Sequence, residues 1–107
     1  MEMIMLDSLE AWFAQNGQFM ADQGLSVELG RSSSSQSSNR SVRVDIDSED
    51  RVGQIILWET GEIEITLGSV GSDDMILDVG EIRSLDELWG WLRKLLTWNG
   101  VDRLWPA

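Results

Sequence analysis

The groups in this chain that could do chemistry are nearly all carboxylates. Nineteen aspartates and glutamates stand against eight lysines and arginines, and there is no histidine, cysteine or tyrosine. The commonest general base and the thiol nucleophile are therefore missing. Serines crowd into "SSSSQSS" (32–38), a linker composition with no neighbouring base to activate a hydroxyl. Lys94, the one lysine, sits on a helical face away from the apolar stripe beside Arg93, a poor setting for a Schiff base. The most suggestive acidic run is "DIDSED" (45–50), where Asp45, Asp47 and Glu49 share the one-three-five spacing of a calcium loop. Its sixth position should be glycine but is Asp50, and its twelfth should be glutamate but is Ile56. The glycines at 68, 71 and 80 are too scattered for a phosphate loop. Neither an enzyme, a dedicated metal site nor a cofactor is expected.

Charge points toward docking. A net charge of −11 disfavours nucleic acid and anionic membranes, which are held by lysine and arginine on phosphates. It favours a basic protein partner and fast, steered association. The absence of cysteine rules out a disulfide framework and suits a reducing compartment. "MEMIMLDSLE" lacks the cationic region of a secretory signal, and no apolar run reaches the ~20 residues of a membrane span. These features predict a soluble cytoplasmic protein. At 107 residues, with 42% apolar and 25% charged residues, it has the size and composition of a single globular domain.

The elements that must position the acids are readable from periodicity. The first helix has two possible starts, one of them at "DSLE" (7–10), a capping-box pattern with Asp7 as N-cap. Leu6, Leu9, Trp12 and Phe13 share a helical face, and Asn16-Gly17 is a good stop, with Phe19 and Met20 either prolonging the helix or beginning an irregular turn. Strands follow at 25–30, 41–47, 52–58, 62–67 and 75–82, separated by short turns except at "RSSSSQSSNRS" (31–41), expected as a flexible serine-rich loop. A second capping box, "SLDE" (84–87), opens the closing helix, and "NG" (99–100) ends it. Leu85, Leu88, Trp89, Leu92, Leu95 and Leu96 form its apolar stripe, Gly90 suggests close approach of another element, and the tail "VDRLWPA" is expected to fold back. The predicted fold is α+β: an antiparallel sheet of four to five strands with the N-terminal and C-terminal helices covering one face.

The hairpin "QIILWETGEIEITL" (54–67) decides which residues face outward. Thr60-Gly61 suits a two-residue loop poorly, whereas Glu59-Thr60-Gly61 suits a three-residue loop with glycine left-handed at its end. That register pairs Leu57 with Ile63 and Ile55 with Ile65 on the core side. It sends Trp58 and Ile56 to the other face with Glu62 and Glu64. A one-residue slip would reverse every assignment and bury Trp58. With Trp58 outward, an indole ringed by Glu59, Glu62, Glu64, Asp45 and Asp47 has the make-up of an interface anchor. Trp91 and Trp98, one heptad apart on the shoulder of the last helix, either pack against the first helix or the tail or form a second exposed aromatic ridge.

The helix bearing "LEAWF", the strand "SVRVDID", the hairpin "RVGQIILWETGEIEI" with its "WETG" turn, and the helix opening "SLDEL" together give a chain that resembles the TriTu family of immunity proteins from bacterial polymorphic toxin systems. The resemblance covers most of the chain apart from the serine run and the last residues. It implies a protein that binds and neutralises a cognate toxin, and it brings no catalytic residues to carry over. The expected partner is then a toxin, basic by charge complementarity, with the chain acting as a monomer or weak homodimer. Two other readings fit the composition: an acidic secretion chaperone, using Trp91, Trp98 and Trp105 for its client, and a DNA-mimic binding protein.

Overall fold

Alternating apolar residues and short connections build a five-stranded antiparallel meander backed by two helices. In the computed structural model the described residues are 3–34 and 37–101, with side chains placed except at 3–4, 33–34 and 37–39. The order is α1 (Met3–Asp22), β1 (Ser26–Ser34), β2 (Ser37–Asp47), β3 (Arg51–Trp58), β4 (Glu62–Ser69), β5 (Met75–Glu81) and α2 (Leu85–Trp98). Each strand pairs with its sequence neighbour, so β1 and β5 form the two edges. The α+β fold read from the sequence is the observed one.

One face of the sheet carries the core. Val42, Val44 and Ile46 of β2, Ile55 and Leu57 of β3, and Ile63, Ile65 and Leu67 of β4 are buried there. Leu6, Leu9, Trp12 and Met20 of α1 lie over β1 and β2, and Leu88, Leu92, Leu95 and Leu96 of α2 lie over β3 and β4. Burying a side chain of this kind contributes about 1.5–3 kcal/mol, so this layer holds the sheet and helices together. The predicted register is present, with Ile55 opposite Ile65 and Leu57 opposite Ile63. Gly61, at φ +97°, closes the three-residue turn and donates its N–H to the Trp58 carbonyl at 2.9 Å.

The caps explain where α2 begins and ends. Ser84 is extended and accepts from the Glu87 N–H at 3.3 Å, while the Glu87 carboxylate accepts from the Arg83 N–H at 3.1 Å. At the other end Val101 N–H reaches the Leu96 carbonyl at 2.8 Å and Gly100 N–H the Thr97 carbonyl at 3.0 Å, a Schellman closure.

Four expectations differ from the structure. The first helix already runs from Met3 through Asp7, so the "DSLE" box does not cap its start. Of the two alternatives at its other end it takes the longer, passing Asn16-Gly17 and stopping only at Gly24, where Leu25 N–H reaches the Met20 carbonyl. Burial of Met20 outweighs the local stop signal, and Asn16 turns its amide onto the Trp12 carbonyl instead. The serine run is drawn into the sheet: β1 extends to Ser34 and β2 begins at Ser37, pairing Ser32 with Ser41. A backbone ladder needs no apolar side chains, which is why composition alone suggested a loop. Gly90 has open space where a Cβ would be, so no close approach accounts for it. Leu85 lies at the exposed end of its stripe. The fold-back expected of the tail falls on residues 102–107, outside the described residues.

Candidate functional site

The face of the sheet away from the helices is uncovered by any described element, and strand alternation dictates what it displays. Across it run four cross-strand rows: Ser26, Asp47, Val52, Gly68 and Met75; Glu28, Asp45, Gln54, Thr66 and Leu77; Gly30, Arg43, Ile56, Glu64 and Val79; and Ser32, Ser41, Trp58, Glu62 and Glu81 at the hairpin end. Trp58 thus points away from the core, half-buried beside Ser41, and the slipped register that would bury it is absent. A hollow of about 330 Å³ opens beside the indole, lined by Trp58, Glu62, Ile63, Glu64, Val79 and Gly80.

The acids on this face fall into two groups. Those near β1 are already engaged: Arg43 bridges Glu28 and Asp45 at 2.8 Å each, and Gln54 donates to the other oxygen of Asp45 at 2.8 Å. Asp47 accepts the Gly53 N–H at 3.3 Å, and Glu59 accepts the Arg40 N–H at 3.1 Å. Asp45 and Asp47 therefore steady the sheet, and no cluster able to hold a metal occurs among the described residues. Around Trp58 the situation is the reverse. Glu62 and Glu64 make no ion pair or hydrogen bond with any described side chain, and Arg43 is the one cation that the described strands place on this face. Two carboxylates and an aromatic face around an open hollow are groups whose charge and quadrupole attract organic cations.

Of the residues singled out from the sequence, Ile56, Trp58, Glu62 and Glu64 come together here, with Asp45 and Asp47 further along the same face and Glu59 in the adjoining turn. Trp91 and Trp98 do not join them. Both belong to α2 on the opposite side and pack on the sheet rather than on the first helix. Trp91 lies against Gly80, and the Trp98 indole N–H is shared between the carbonyls of Val52 (3.1 Å) and Gly68 (3.0 Å). Arg51 covers the Trp98 ring at 4.6 Å and Lys94 the Trp91 ring at 4.8 Å. Sequence reading missed Leu77 and Val79. Both lie on the open face, 61% and 65% exposed. The signal was "MILDV", apolar at both odd and even positions, which a strand buried on one face does not require.

A family model described as Immunity protein TriTu matches residues 7–98, a span from the second turn of α1 through the last residue of α2. No curated protein and no solved structure matches the chain.

Proposed function

We propose that this chain, which belongs to the TriTu family of immunity proteins, neutralises a cognate toxin by occupying it with the open sheet face around Trp58. The carrying observation is the carboxylate pair Glu62 and Glu64, without an ion-pair partner among the described residues, flanking a half-buried indole over an open hollow. A lysine or arginine of a basic toxin enters that hollow, its charge against the carboxylates and its stem against Trp58, Ile56 and Val79. The chain's charge of −11 speeds the encounter, and the remaining acids of the face repel acidic competitors. Inhibition on this reading is stoichiometric: the acidic face takes the place that anionic substrate would hold on a nucleic-acid-cleaving or similar toxin. No turnover by the immunity protein is involved. Among the described residues no helix is long and apolar enough to cross a membrane.

The test is binding of the full chain to the toxin domain encoded in the adjacent reading frame. Trp58→Ala combined with Glu62→Lys should weaken binding at least about 30-fold, the ~2 kcal/mol of an interface hot spot. Its melting temperature should stay near that of the parent. Undiminished binding by the folded double variant would rule out this face, and failure of the parent chain to bind or inhibit would rule out the reading as a whole.

A further inference from the structure

The two edges of the sheet are built differently. In β4 and β5 the bonded pairs can be counted from Ile82, whose N–H reaches the Gly61 carbonyl at 2.8 Å. Strand alternation then turns the N–H and C=O groups of Gly80, Asp78 and Ile76 toward β4, and those of Glu81, Val79, Leu77 and Met75 outward. The outward groups thus belong to residues whose side chains lie on the same face as Trp58. Met75, Leu77 and Val79 are 58%, 61% and 65% exposed. The strand contains no proline, lysine or bulge of the kind that guards an edge. At the opposite edge, β1 is protected. Val27 and Leu29 are half-buried beneath α1, Arg31 is tied to Glu10, and the register breaks at Ser32–Ser34.

We propose that the outer edge of β5 receives an extended segment of the toxin, apolar at its centre and carrying lysine or arginine toward its ends, which continues the sheet by main-chain hydrogen bonding; this rests on the toxin-binding reading above. The charge pattern selects that occupant. Leu77 and Val79 are central, Asp73 and Asp74 precede the strand, and Glu81 closes it beside Glu62. A second copy of the chain is a poor fit. The antiparallel register that pairs all of β5 with itself sets Asp78 against Asp78 and Met75 against Glu81, between two chains each of charge −11. A strand seated on β5 also borders the hollow, since Val79 lines both. Main-chain bonds then supply affinity while the Trp58 hollow reads one cationic side chain.

The experiment is amide hydrogen exchange by NMR on the isotopically labelled full chain, alone and with the toxin domain from the adjacent reading frame. In the complex the outward amides of Leu77, Val79 and Glu81 should slow by about 100-fold or more, as amides do when they enter a stable ladder. Leu77→Pro, which removes one outward N–H at an edge position tolerant of proline, should weaken binding at least about tenfold with the melting temperature retained. The exchange readout on the parent chain does not depend on how that variant folds. Toxin bound and inhibited with these amides unprotected would overturn strand addition while leaving the toxin-binding reading standing. Protection that appears in the chain alone and grows with its concentration would assign the edge to a second copy. Absence of any binding would remove both.

Discussion

Gly80→Ala tests whether Trp91 is a packing residue of the fold. A Cβ at Gly80 would stand 2.8 Å from Cζ2 and 3.3 Å from Cη2 of the Trp91 ring. Aromatic atoms cannot bend away as the tip of a leucine can, so the ring must rotate or α2 must shift. Either movement disturbs Lys94, which sits 4.8 Å over that ring and 3.7 Å from Asp78. Overpacking of this sort costs about 1–3 kcal/mol. Alanine is better than glycine in a strand interior by about 0.5–1 kcal/mol, which leaves a net loss of about 0–2.5 kcal/mol. For a domain of this size each kcal/mol moves the melting temperature about 4–8 °C. With Trp91→Leu in the background the clash is gone, and Gly80→Ala should become stabilising by about 0.5–1 kcal/mol. The coupling between the two sites is then about 1–3 kcal/mol. Urea unfolding of the four proteins, followed by far-ultraviolet circular dichroism, measures it. If Gly80→Ala has the same effect in both backgrounds, the ring does not rest on the glycine and Trp91 is released as a candidate for partner contact.

Two further outcomes follow from the turn and from the first helix. Gly61→Ala forces a side chain onto a backbone at φ +97° with its Cβ 2.6 Å from the Ile82 carbonyl oxygen, so urea unfolding should show a loss of at least about 1–2 kcal/mol. Met20→Ala should cost about 2–5 kcal/mol and speed amide exchange over residues 18–22, because Met20 holds the helix beyond Gly17; unchanged exchange there would show that local propensity suffices.

The hairpin and the closing helix were the most legible parts of the chain. Loop chemistry at Glu59-Thr60-Gly61 and the spacing of the isoleucines specify one register between them, and that register places Trp58 opposite the core. The second capping box and the leucines of α2 were equally clear, since both signals are local. What local signals could not show was decided by distant contacts. Asn16-Gly17 looks like a helix end until Met20 has a core to enter, and the serine run looks like a loop until two strands need partners for their backbones. Part of the candidate site escaped for a related reason. A strand's sequence does not say that it lies at an edge; that follows only from the meander, in which the last strand has one neighbour. The packing of Trp91 could have been suspected from Gly80, since a glycine inside a strand often marks close approach.

The alternation of the sheet has a consequence for how such a protein can change. Along β3 and β4 the odd-numbered side chains Ile55, Leu57, Ile63, Ile65 and Leu67 fill the interior, while the even-numbered Ile56, Trp58, Glu62, Glu64 and Thr66 face away from it. Replacing a member of the second set leaves no void beneath the helices. On the proposed reading, in which this face meets the toxin, a lineage confronted with an altered toxin can rewrite every other letter of these strands and keep its architecture, with specificity drifting on a frame that the intervening letters hold constant.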